Sequence, residues 1–141
     1  MNTRKRCFVD TSALVALADR SDQYHKEAAA YAARTRGSVH FVTTDYVLDE
    51  TATRLRSSIG HTATVKFLRA IFDSPSFTVV TVEPEVWRQA WMLFEKYEDQ
   101  PLSFTDCVTV AVMRGLSMET VFAFDRVFRR LGLSVVPEAA S

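Results

Sequence analysis

The chain has 141 residues, the length of one domain that buries roughly two-thirds of its unfolded surface. Nearly half of them are apolar (48%) and about a quarter are charged (24%), which excludes a disordered chain. Lys plus Arg and Asp plus Glu both come to 17, so the total charge selects no partner and only its distribution matters. Cys7 and Cys107 lie in apolar runs without CxxC spacing, the pattern of buried free thiols. His25, His40 and His61 are too far apart for a His-x-x-x-His zinc pair. Asp10 interrupts the apolar run after Arg4-Lys5-Arg6, against a signal peptide, and no stretch approaches the ~18 apolar residues of a membrane span. A soluble, cytoplasmic protein with no membrane partner is expected.

Cys7-Phe8-Val9 reads as a strand buried on both faces, stopping at Asp10, with a helix from Ala13 to Ala18 behind it. A second helix is predicted over Gln23 to Thr35, with Tyr24, Ala28, Tyr31 and Ala32 on one face, ended by Gly37. Val39 to Thr43 is the second strand, and a helix from about Asp45 to Ser58 follows, with Val47, Leu48, Thr51, Leu55 and Ile59 inward and Gly60 as its stop. Another helix runs from about Thr62 to Phe72. Phe77 to Val82 is the third strand, and Pro84 opens a helix carrying Trp87, Trp91 and Phe94, read as core or dimer contact. Ser103 begins a helix over Phe104 to Arg114, stopped by Gly115. Thr120 to Phe124 is a fourth strand ending at Asp125, followed by a short helix (Arg126 to Leu131) and an edge strand over Leu133 to Val136. Strands alternating with helices predict a single α/β domain over 1–141, with a central parallel sheet and helices on both faces.

In such sheets the ligand crevice lies beyond the carboxyl ends of the strands. Asp10 and Asp125 stand at two of these ends, Asp49-Glu50 lies a turn into the helix after the second strand, and Asp106 lies in the first turn of its helix. Each acid also fits a local role. Asp10 and Asp125 suit helix caps, Ser103 with Asp106 resembles a capping box, and Glu50 suits an i,i+4 pair with Arg54. Caps do not require three acids to meet at one sheet edge, and a hard divalent cation supplies a reason for such a cluster, because clustered carboxylates repel and Mg²⁺ or Mn²⁺ takes oxygen ligands. Such a cation activates water for displacement at phosphorus.

At these residues the chain resembles the PIN-domain ribonucleases, and among them the VapC-type toxins of toxin–antitoxin pairs. The carriers are Phe8-Val9-Asp10-Thr11-Ser12-Ala13-Leu14, Asp49-Glu50-Thr51, Leu102-Ser103-Phe104-Thr105-Asp106-Cys107 and Val121-Phe122-Ala123-Phe124-Asp125. The resemblance implies a three-layer α/β/α sandwich with strand order 3-2-1-4-5. It also implies an Mg²⁺- or Mn²⁺-dependent endoribonuclease leaving a 5′-phosphate and a 3′-hydroxyl. Asp10, Glu50, Asp106 and Asp125 would be its catalytic and metal-binding acids, with the Ser12 and Thr105 hydroxyls near the metal. The choice of Glu50 over Asp49 rests on the resemblance, since both flank the apolar stripe. A cognate antitoxin and a homodimer are implied as partners.

A haloacid-dehalogenase-type phosphatase would need an acid where Ser12 stands, and a phospho-receiver domain would need a late Lys that the chain lacks. A non-catalytic PIN-like module that binds RNA or protein is the alternative, and turnover of RNA discriminates the two. Arg54, Arg56, Lys66, Arg69, Arg126, Arg129 and Arg130 read as solvated helix faces. Arg126, beside the fourth acid, is the best placed to contact RNA.

Overall fold

Cys7, Phe8 and Val9 are buried in succession, so the first strand, β1 (Lys5–Val9), is covered on both faces. The computed structural model describes residues 4–138; residues 1–3 and 139–141 of the expected domain lie outside the described residues. After β1 come α1 (Thr11–Ala18), α2 (His25–Arg34), β2 (Val39–Thr44), α3 (Asp45–Ile59), α4 (His61–Asp73) and β3 (Phe77–Val80). The second half is α5 (Pro84–Lys96), α6 (Phe104–Gly115), β4 (Thr120–Phe122), α7 (Val127–Arg130) and β5 (Ser134–Val136).

The strands form one sheet in the order β3-β2-β1-β4-β5, with every neighbouring pair parallel. This is the expected α/β order, and it places β1 at the centre with Phe8 opposite Val42 on one side and Val121 on the other. All strands therefore point their carboxyl ends to one edge. On one face an aromatic layer fills the space below α2: Tyr31 meets Phe122 at 4.7 Å and Phe41 meets Phe77 at 5.2 Å between ring centroids.

Local chemistry sets where the elements begin and end. Thr44 caps α3, its Oγ1 accepting from the Val47 N–H at 3.1 Å. Gly60 serves both as the C-cap of α3 and the N-cap of α4, at a φ of 89°. Five expectations need correction. The third strand stops at Val80 and not Val82, because the Val82 N–H donates to Asp45 Oδ1 at 3.0 Å and leaves the ladder. The fourth stops at Phe122 and not Phe124, because the Phe124 N–H donates to Ser12 Oγ at 2.9 Å. Gly115 lies within the last turn of α6, and the left-handed residue that ends the helix is Ser117, at a φ of 54°. Tyr24 lies before α2, exposed, and not on its buried face with Ala28 and Tyr31. Trp87, Trp91 and Phe94 are 41%, 46% and 42% exposed, so they are not core residues of the single chain.

Candidate metal centre at the carboxyl edge of the sheet

Asp10 is the first residue beyond β1. Its N–H donates to the Phe122 carbonyl of β4 at 3.0 Å, and the neighbouring Val9 carbonyl accepts from Thr43 Oγ1 of β2 at 3.0 Å. Three strands thus hold the backbone on which the acid stands. The side chain is buried, and its Oδ2 accepts from the Ser12 N–H at 3.2 Å and the Ser12 hydroxyl at 2.7 Å. Asp10 is the N-cap of α1, so the expected capping role exists.

Asp106 is buried in the first turn of α6 within a complete capping box: the Ser103 N–H donates to its Oδ2 at 3.0 Å, and its own N–H donates to Ser103 Oγ at 3.0 Å. Glu50 is half-buried on α3, and its Oε1 stands 4.0 Å from an Arg54 guanidinium nitrogen. Asp49 is exposed, so burial separates two neighbours that periodicity does not. Asp125 is exposed, three residues past the end of β4, and its Oδ1 accepts from the Val127 N–H at 3.0 Å. Every acid therefore has the local partner that the sequence suggests.

The electrostatics add what caps do not explain. Burial pushes the Asp10 carboxyl above the usual carboxylate range, against the Ser12 and Thr11 hydrogen bonds, and the charge of Glu50 adds a smaller push. Burial also pushes Asp106 up to about 7, helped next by the charge of Asp10 and less by that of Asp125, while the Ser103 bonds oppose it. The four acids are thus linked pairwise: Glu50 to Asp10, Asp10 to Asp106, Asp106 to Asp125. Neither Asp10 nor Asp106 is paired with a Lys, Arg or His among the described residues.

Two buried carboxylates without a cation leave a need that a hard divalent ion meets, and an all-oxygen donor set suits Mg²⁺ or Mn²⁺. Among the described residues no three His, Cys, Asp or Glu side chains are gathered into a ready-made cage. An ion that keeps several waters and takes one or two carboxylates directly needs none. Cysteine chemistry does not compete, since burial pushes the Cys7 and Cys107 thiols up to about 12 and about 11.

Ser12 sits between the acid and the chain after β4, donating to Asp10 and accepting from the Phe124 N–H. Thr105 is half-buried beside Asp106, and Arg126 is exposed beside Asp125. The sequence reading missed two polar groups near this edge. Asp45 anchors the chain after β3 through Val82, and Tyr24 stacks on Phe124 with 4.6 Å between centroids and 6° between planes. Neither is visible in a local pattern, because each partner is distant in the chain.

The all-parallel 3-2-1-4-5 sheet, with Asp10 just beyond β1 and Asp125 beyond β4, is that of a PIN domain, and the chain belongs to the PIN-domain family, whose profile matches residues 7–133. Among curated proteins it is 35% identical over 132 residues to the 23S rRNA-specific endonuclease VapC20 of Mycobacterium tuberculosis strain H37Rv, spanning 93% of this chain and 98% of the relative. The crystal structure of Mycobacterium tuberculosis VapC20, described as a sarcin-ricin-loop-cleaving toxin, superposes with a TM-score of 0.83 at 32% identity, covering 90% of this chain and 95% of that one. VapBC2 from Rickettsia felis, solved with a DNA fragment from its promoter, shares the fold at a TM-score of 0.69 and 10% identity, covering 92% and 96% of the two chains.

Proposed function

We propose that this PIN domain is a metal-dependent endoribonuclease and the toxin of a toxin–antitoxin pair. The observation that carries the reading is the buried, uncompensated couple Asp10–Asp106 at the sheet edge, with Glu50 and Asp125 on either side. Asp10, Glu50, Asp106 and Asp125 would hold Mg²⁺ or Mn²⁺. When bound, the cation would supply the charge that keeps the acids ionised and would make a water easier to deprotonate for attack at phosphorus.

The chain's own residues supply the rest. Ser12 and Ser103 hold the two buried carboxylates in fixed orientation through the bonds described above. Thr105 lies beside them and contributes a second hydroxyl at the edge. Arg126, exposed beside Asp125, meets an RNA phosphate and fixes the strand in register. The phosphodiester breaks at the P–O3′ bond, leaving a 5′-phosphate and a 3′-hydroxyl.

The substrate we infer is a loop of structured RNA, whose unstacked nucleotides a surface edge can reach. VapC20 is specific for 23S rRNA, which makes a ribosomal loop the first substrate to try. A site crowded with carboxylates also suits an inserted Arg from an antitoxin, whose guanidinium pairs bidentately with them. The exposed stripe of Trp87, Trp91 and Met92 on α5 would be covered in a homodimer. No helix among the described residues is long and apolar enough to cross a membrane. An RNA substrate and a co-encoded antitoxin are the grounds on which we propose a cytoplasmic protein.

Purified chain incubated with ribosomal RNA, with Mn²⁺ or with EDTA, tests the reading. Discrete cleavage carrying 5′-phosphate ends is expected with metal and none in chelator. Undiminished cleavage in EDTA, or 2′,3′-cyclic phosphate ends, contradicts it.

A further inference from the structure

We propose that the groove beside Asp125 seats one RNA base adjacent to the scissile phosphate, stacked on the face of Tyr24 that Phe124 does not cover. The inference rests on the nuclease reading and adds to it the nucleotide that the edge reads. The groove has a volume of about 280 Å³, and its walls include Tyr24, Phe124, Arg126, Arg129, Glu27 and Glu138. Ala123, Phe124 and Arg126 follow the end of β4 and Pro137 follows β5, so the groove lies at the carboxyl edge of the sheet next to Asp125 in the chain, and none of the four acids lines it.

Three observations favour a base there. The first is the aromatic stack itself: Tyr24 and Phe124 lie parallel, 4.6 Å apart at 6°, and Tyr24 is 36% exposed. Phe124, packed against the core, covers one face of Tyr24 and fixes the ring, and an exposed aromatic ring held in this way along a groove is the kind of platform on which nucleobases stack.

The second is the charge. Arg126 and Arg129 suit phosphate, but Glu27 and Glu138 line the same groove and would repel a phosphate buried in it. A base fits both: its amino and ring N–H donors meet carboxylates, while the phosphates on either side of it meet guanidinium groups.

The third is the tether. The Phe124 N–H donates to Ser12 Oγ at 2.9 Å, and the Ser12 hydroxyl donates to Asp10 Oδ2 at 2.7 Å. The platform is thus two hydrogen bonds from a buried acid. Phe122, fully buried, meets Phe124 edge-on at 6.1 Å and backs it from below. Base seat and acid are held at one spacing, which is what choosing a particular phosphodiester requires.

The test uses the full chain and a fluorescein-labelled oligoribonucleotide that spans a wild-type cleavage site. An abasic ribose replaces each nucleotide around that site in turn. Cleavage is followed with Mn²⁺, and affinity by anisotropy in EDTA. One abasic position should lower kcat/KM about five- to hundredfold. Tyr24→Leu, which keeps apolar bulk against Phe124, should show a similar loss on the intact oligonucleotide, and Tyr24→Phe should retain activity. With the sensitive position already abasic, Tyr24→Leu should cost no more than about twofold further.

The inference is overturned if no abasic position matters to the wild type, or if the two losses multiply. It is also overturned if folded Tyr24→Leu, judged by its melting point, cleaves within about twofold of wild type. Tyr24→Leu that weakens capture of a co-encoded partner and leaves RNA parameters unchanged would assign the groove to protein and overturn the base seat. If the wild type cleaves no RNA at all, the nuclease reading fails by itself. The base seat is then judged by affinity in EDTA for a labelled ribosomal-loop oligoribonucleotide made abasic at each loop position in turn, where a sensitive position that Tyr24→Leu abolishes supports it and the absence of one overturns it.

Discussion

An asparagine at position 106 would keep an acceptor for the Ser103 N–H, 3.0 Å from Oδ2, and remove the charge that burial disfavours. The substitution therefore separates cap from charge. Because the folded-state pKa of Asp106 is raised to about 7 from 3.8, its stabilising contribution in the metal-free protein is fully present below about pH 4. It is lost as pH rises through 7. In chelator, the wild type should lose stability between pH 5 and pH 7.5 relative to Asp106→Asn. At the upper pH the variant should be more stable by about 0.5–2 kcal/mol, a melting point roughly 1–6 °C higher. Added Mn²⁺ should reverse the order by binding the wild type. Melting curves of both proteins in EDTA and in Mn²⁺ check this, and parallel pH profiles in chelator would contradict it. One turn further along α6, Thr109 is fully buried and its Oγ1 finds no hydrogen-bond partner among the described residues. Valine has the same shape and a similar helix propensity, so Thr109→Val should stabilise the fold by about 1 kcal/mol. Denaturant titration checks the sign.

Between α3 and α4 a single residue makes the whole connection. Gly60 has a φ of 89° and a ψ of 167°, backbone that side-chain-bearing residues avoid, while an added Cβ would meet nothing within 4 Å. Gly60→Ala should therefore cost about 1–3 kcal/mol through the backbone alone, with no steric clash to relieve. A larger residue such as Gly60→Val should cost little more, which distinguishes strain from crowding. Gly60 was readable as a stop because glycine suits such conformations. Ser117 was not, because nothing in its type announces a positive φ. The strand ends show the same division. Hydrophobic patterning finds β3 and β4, but their last residues leave the ladder for side chains distant in the chain: Val82 for Asp45, and Phe124 for Ser12. No local window contains both partners of such a bond.

At the level of the whole molecule, parallel topology puts the ends of β1 and β4, which Asp10 and Asp125 follow, at one edge of the sheet. Strand–helix alternation made the parallel sheet legible, together with the places of Asp10 and Asp106, and the family resemblance supplied the strand order. The choice of Glu50 over Asp49 rested on the resemblance and not on periodicity, and the burial that distinguishes the two depends on how α3 is rotated against its neighbours. The α5 stripe was legible as apolar but not as exposed, because helical spacing does not say whether the same chain or another covers it. If a second copy covers it, the wild type should elute as a dimer by light scattering, and Trp91→Glu should elute as a monomer with little change in melting point. A wild-type monomer at micromolar concentration contradicts that assignment. The most direct measurement of the central claim is cleavage of ribosomal RNA by the wild type and by Asp106→Asn, with Mn²⁺ and with EDTA. The account predicts metal-dependent cleavage by the wild type and a loss of at least about a hundredfold in a variant that folds at least as well. Near-wild-type cleavage by Asp106→Asn would contradict it and leave Asp106 as the cap of α6.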